Sequence, residues 1–273
     1  MRVKYKIYRY ITIVIVLALA SSCVIDSGYY YAQKNRATVV CERTLGVIKD
    51  YMIFTDMALM FNEYLKTDNE YKLLVLSSHM KGWSVAPVDS HWSVTLQGRQ
   101  YMIYPDDKPV NEVGSEWRVD RLLDHVAGNV YEHCYIRCVG ENEYRVESDN
   151  IITRGYSDEI YSGPVNMVVK REIGEDRYVL AYSLEASGEY VVDRFYRNSE
   201  EERVVVKYIF DGKCAKYDSY SELSFTSGKA DIKAGKVGTA ESTFDDIKFI
   251  YSGGYGGYYN MTITLNGKRV ESR

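Results

Sequence analysis

The sequence predicts a mainly β chain of the α+β class: an antiparallel meander forming a sandwich or a strongly curved sheet, with one N-terminal amphipathic helix packed on it. Three observations predict it. Apolar residues recur with period two from Trp83 onward, turn residues punctuate those runs at short spacing, and one long stretch, 45–65, carries the helical period instead. Composition agrees, with 27 tyrosines against 4 prolines. Tyrosine suits strands because its ring is apolar while its hydroxyl tolerates water.

The helical stretch comes first. Val47, Tyr51, Phe54, Ala58, Phe61 and Leu65 step by four and three alternately, which keeps them on one face. Leu45, Ile48, Met52 and Met57 widen that face, and Asp50, Asn62, Glu63 and Lys66 supply polar positions. A stripe this wide buries against a sheet or a second helix. A helix lying in a membrane interface needs many basic residues on its polar face, and these are lacking. Thr67-Asp68-Asn69 stops the helix and offers a fresh N-cap. Glu70 to Met80 then reads as a second helix or, through Leu73-Leu74-Val75-Leu76, as a buried strand.

Beyond it, Trp92, Val94 and Leu96 alternate with polar residues, and a Gly98-Arg99 turn leads into Gln100 to Tyr104, ended by Pro105. Val119 to His125 reads as a short helix. Val130 to Val139 and Glu143 to Ser148 pair across Gly140-Glu141-Asn142, and Val165, Met167 and Val169 share a face. Arg177 to Glu185 is expected to turn through Ala186-Ser187-Gly188 into Glu189 to Arg197. Glu202 to Phe210 follows, with another turn at Asp211-Gly212. A last hairpin joins Ile247–Tyr251 to Tyr258–Leu265 and ends in Asn266-Gly267. The chain divides into a helical segment 37–81, a β-rich region 82–155 and an antiparallel region 156–273, with 82–273 reading equally well as one domain.

The first 23 residues follow a different grammar. Arg2, Lys4, Lys6 and Arg9 form a cationic start, Ile11 to Ala20 is a short apolar run, and Ala20-Ser21-Ser22-Cys23 closes it. This stretch resembles the bacterial lipoprotein signal peptide, whose lipobox ends in an obligatory cysteine, although Ala rather than Leu stands three before it. The resemblance implies cleavage after Ser22, so that 1–22 is removed, and acylation of both the thiol and the new amino group of Cys23. The partner so implied is a lipid bilayer, since several acyl chains anchor durably where one holds only marginally. In that family Asp after the cysteine favours inner-membrane retention; Val24 stands here, which leans the chain toward the outer membrane, on its periplasmic side or at the cell surface. Residues 23–36 read as a tether.

Without its signal the chain has 251 residues, 30 basic against 38 acidic, a net charge of −8. That balance argues against nucleic acid as a partner. Of the remaining cysteines, Cys134 and Cys138 share a strand, where four residues span about 13 Å, beyond the roughly 7 Å Cα separation a disulfide bridges. They read as buried free thiols, while a Cys41–Cys214 link stays open. His133 falls on the opposite face from both cysteines, and no histidine pair has zinc spacing, so no metal and no cofactor is expected.

Asp89-Ser90-His91 names triad residue types, but chain neighbours do not make a triad, and Ser90 reads as a turn residue. Glu185 and Glu189, and Asp245-Asp246, read as solvated turn charges rather than a hydrolytic pair. No catalytic residue is assigned. Gly253-Gly254-Tyr255-Gly256-Gly257 presents Tyr255, backed by Tyr258 and Tyr259, as a candidate contact for a glycan or an envelope protein. The leading expectation is a non-catalytic, lipid-anchored binding or structural module. An envelope-polymer hydrolase using Asp and Glu, and a lipid carrier with a hollow sheet capped by the 47–65 helix, are the alternatives.

Overall fold

The computed structural model describes residues 36–68, 83–96, 99–123, 130–148, 151–154, 159–172, 180–192, 203–216, 223–253 and 259–272. Helix α1 covers 36–66. The strands are β1 Trp83–Val88, β2 His91–Leu96, β3 Arg99–Tyr104, β4 Glu116–Leu123, β5 Val130–Gly140, β6 Glu143–Ser148 and β7 Ile151–Arg154. The longer ones follow: β8 Glu159–Glu172, β9 Leu180–Val192, β10 Val204–Lys216, β11 Ser224–Lys236, β12 Asp245–Gly253, β13 Tyr259–Leu265 and β14 Lys268–Ser272. Among the described residues these fourteen strands form one sheet in chain order, with only β7 standing off the path against β8. Every pairing is antiparallel. The two β regions join where β6 meets β8, for example Tyr144 opposite Val169.

The predicted helix is present, packs on the sheet as expected, and is longer than its stripe, since Ala37, Val40, Cys41 and Thr44 are also buried. Thr67 ends it, its hydroxyl donating to the Glu63 carbonyl at 2.8 Å. The helix is not buried on one side only. Phe54, Thr55, Asp56, Met57, Ala58 and Leu59 are consecutive and all buried, more than a full turn.

The sheet therefore curls around it. Phe54 and Asp56 lie about 3 Å apart along the axis and roughly 200° apart around it. Phe54 meets the Tyr101 ring of β3 edge-on at 6.0 Å, while Asp56 accepts a hydrogen bond from Tyr182 of β9 at 3.2 Å. Strands β3 and β9 stand five places apart along the sheet, about 24 Å at ordinary strand spacing. A helix about 10 Å wide touches both only if the sheet wraps it.

Direction follows from the same contacts. Tyr190, eight residues after Tyr182 on β9, sits 3.0 Å from the Thr44 hydroxyl and donates to the Val40 carbonyl at 3.1 Å. The helix thus runs counter to β9, and its far end places Phe61 5.3 Å from the Trp92 ring of β2 and 6.5 Å from Trp117 of β4.

Several expectations need correction. The span Val119 to His125, read as a short helix, is strand over its described part: 119–123 belong to β4, where Trp117, Val119 and Arg121 face inward, and 124–125 lie outside the described residues. Arginine at an inward position masked the alternation. Ala186-Ser187-Gly188 and Asp211-Gly212 are not turns either, because β9 and β10 run straight through them. Their glycines make room for neighbours. A Cβ on Gly188 would come within 2.8 Å of Val165 and 2.9 Å of the Tyr208 hydroxyl. The Phe210 ring covers the paired Gly212 and Gly228, leaving 2.6 Å for either Cβ. True turns do fall at Asn142 and at Asn266-Gly267, with φ of 56°, 50° and 79°. Pro164 sits in β8 where the register shifts between Ser162 and Val165, the kind of irregularity that tolerates a missing N–H. The stretch read as a second helix, 70–80, lies outside the described residues.

Buried tyrosines give the core a distinctive pH response. Burial holds the Tyr144 hydroxyl up to about 12. It also raises Tyr182, with a further push from the Asp56 charge, and raises Tyr190 and Tyr208. These groups keep their protons more tightly folded than unfolded, so stability is complete below the unfolded value near 10 and declines above it. Urea titrations are expected to give a flat unfolding free energy around pH 9. Above about pH 10 it should fall by up to about 1.4 kcal/mol per pH unit for each such tyrosine. A profile still flat at about pH 11.5 contradicts their burial.

Candidate functional site

Alternation sends a second set of side chains outward from β2 to β6. Register aligns Tyr104, Arg118, Tyr135 and Glu147 across β3, β4, β5 and β6. The Arg118 guanidinium lies 3.8 Å from the centre of the Tyr104 ring, and His91 of β2 stacks on that ring at 5.0 Å with a tilt of 31°. One step along β4 and β5, Asp120 pairs with His133. The Asp120 side chain is 3% exposed although it points outward, because His133 and Arg118 cover it. The His133 Nδ1–H donates to Oδ1 at 2.8 Å and Arg118 Nε approaches the same oxygen to 3.2 Å.

At the end of this row the two-residue turn Asp89-Ser90 overhangs an open depression of about 490 Å³, lined by Pro87, Val88, Asp89, Ser90, His91, Trp92 and Pro105. Trp92 belongs to both environments. One side lines the depression and the other packs on Phe61 and Tyr64 of α1. The depression therefore sits at the helix end remote from residue 36, with about 37 Å of helix between Arg36 and Phe61.

Chemically this surface holds polar groups in fixed orientations beside aromatic rings. A buried carboxylate fixing an imidazole is how a general base is positioned. Among the described residues, Asp120, Met102, Arg118 and Tyr135 lie near His133 on the outward face by register and alternation. Asp89, Ser90 and His91 do come together, as the lip of a depression and not as a relay. Glu185 and Glu189 lie on the outward face of the continuous strand β9, and Asp245 and Asp246 open β12, pairing with Asn266 and Lys233. Among the described residues no three His, Cys, Asp or Glu side chains group as metal ligands.

The interior holds its own charges. Arg121 of β4 pairs with Glu132 of β5 and lies 3.6 Å from Asp50 of α1, with the Phe54 ring 5.3 Å away. Burial by itself would lower the Arg121 pKa, but the two carboxylates outweigh it and raise it. This triad ties the helix to the sheet. Cys41, Cys134, Cys138 and Cys214 are buried, and the Cys41–Cys214 link is not formed. Burial pushes the Cys134 and Cys214 thiols upward, away from reactivity.

Cys23, Tyr255 and Tyr258 lie outside the described residues. Tyr259 opens β13 opposite Gly253. The row His91–Tyr104–Arg118 with Asp120 and His133 was not anticipated from sequence, because its members come from four strands and meet only through register. Comparison with known proteins finds no family model, no characterised protein and no solved structure that this chain matches.

Removing one partner of the buried triad should cost far more than removing the charges together. Glu132→Ala is expected to lower the unfolding free energy by about 3–5 kcal/mol, while Arg121→Met, Glu132→Leu and Asp50→Asn combined recover most of it. Equal losses in both variants, measured by urea denaturation, would contradict the role assigned to the triad.

Proposed function

We propose that this chain is a lipid-anchored, non-catalytic binding module of a bacterial envelope, held at the outer membrane through acylated Cys23. The observation that carries the reading is Ala20-Ser21-Ser22-Cys23 directly after a short apolar run with a cationic start. Acyl chains on one residue hold a globular body at a bilayer without a spanning segment, and no described helix is long and apolar enough to cross a membrane.

The interior supports a binding module over a lipid carrier. A carrier needs an apolar hollow within the curved sheet, whereas Val47, Ile48, Tyr51, Phe54 and Phe61 fill that space and are fully buried. Recognition then falls to the outside of the body. The depression at the Asp89-Ser90 turn and the row beside it supply the Asp89 and Asp120 carboxylates, two imidazoles, a guanidinium and aromatic rings within a few strand widths. Aromatic rings with a few fixed polar groups are what ligand sites are made of.

The anchor is tested by expressing the full chain and Cys23→Ala in a bacterium fed an alkyne fatty acid. The parent is expected to take up label and sediment with membranes, and the variant to do neither. A variant as membrane-bound as the parent would refute the anchor.

A further inference from the structure

We infer that the depression under the β1–β2 turn binds a neutral saccharide. This rests on the reading of the chain as a binding module and names its ligand class. The depression combines two chemistries in its lining. Trp92 and the two prolines, Pro87 and Pro105, give flat apolar surface, and Asp89, Ser90 and His91 put acceptors and donors along one lip. A sugar ring has the matching double character, with C–H groups across its face and hydroxyls around its rim. Its hydroxyls can donate to the ionised Asp89 carboxylate, which only accepts.

Other ligand chemistries fit less well. No lysine or arginine lines the depression, so an anion would face the Asp89 carboxylate uncompensated. A wholly apolar ligand would strip water from that carboxylate with nothing in exchange. The volume of about 490 Å³ lies within the usual range for small-molecule sites.

The walls are also held in place, which lowers the entropic cost of binding. His91 is stacked on Tyr104, whose ring carries the Arg118 guanidinium, which is paired in turn with buried Asp120. Trp92 is wedged against Phe61 and Tyr64. The outward row thus has a purpose: it braces the imidazole wall from behind. The site also lies at the end of α1 opposite its first residue, Arg36.

The test uses the purified full chain, titrated with cellohexaose, maltohexaose, chitohexaose and mannohexaose, with oligoglucuronate and choline as charged counterparts. Binding is read by calorimetry and by tryptophan fluorescence, to which Trp92 reports. At least one neutral oligosaccharide is expected to bind below about 10 mM. Asp89→Ala should weaken it by about tenfold or more, as loss of a charge-assisted hydrogen bond does. Asp89 and Ser90 are exposed turn residues, so an unchanged melting temperature is expected and certifies the variant. Absence of binding by all four sugars, binding that Asp89→Ala leaves unchanged, or preferential binding of oligoglucuronate or choline would overturn the assignment. Fatty-acid labelling at Cys23 is read on the same preparations. A labelled protein that binds no sugar loses only its ligand class, and an unlabelled one that binds sugar loses only its anchor.

Discussion

One constraint organises the molecule: a single long helix is buried over most of its surface, and a single antiparallel sheet does it by curling. An open sheet of this width would expose an entire apolar face, and a helix with six consecutive residues buried would expose apolar side chains around more than a full turn. The contacts that close the arrangement are specific. Tyr182 and Tyr190 reach the helix from β9, Tyr101 and Trp117 from β3 and β4, and Arg121 joins it through Asp50. Because all strands but β7 pair in chain order, this large sheet is built almost wholly from local connections, which eases its folding.

Among the described residues, Val47, Ile48, Tyr51, Phe54 and Phe61 fill the concave side, and fixed polar groups stand on the outward face. Most outward charges there form exposed pairs, such as Lys229 with Asp211 at 3.1 Å and Lys248 with Asp231 at 3.1 Å, which add little stability. The cluster around Asp120 differs because its carboxylate is covered and shared by a guanidinium and an imidazole N–H. Through Arg118 and Tyr104 it is linked to His91, which lines the depression.

The class of the fold was legible in the sequence, and so was its helix, because apolar spacing at 3.6 and at 2 survives without any tertiary knowledge. Buried Val47, Tyr51, Phe54, Ala58 and Phe61 were all on the expected face. Strand continuity was legible only in part. Gly188 and Gly212 look like turn residues but serve as clearances for Tyr208 and Phe210, which is visible only once neighbouring strands are in register. Inward Arg121 hid a strand, since its partners Asp50 and Glu132 lie 71 and 11 positions away. The candidate site was hidden for the same reason. His91, Tyr104, Arg118 and His133 acquire meaning from pairing, whereas Asp89, Ser90 and His91 are chain neighbours and could be singled out without it.

Native-state hydrogen exchange tests the interdependence of helix and sheet most directly. If the sheet closes only around the helix, amides of residues 47–62 exchange through the same global opening as those of β4 and β9, with the same free energy and the same denaturant dependence. Helix amides that exchange through a separate, lower-energy opening while β4 and β9 stay protected would mean that the sheet stands without its filling, and the account would fail.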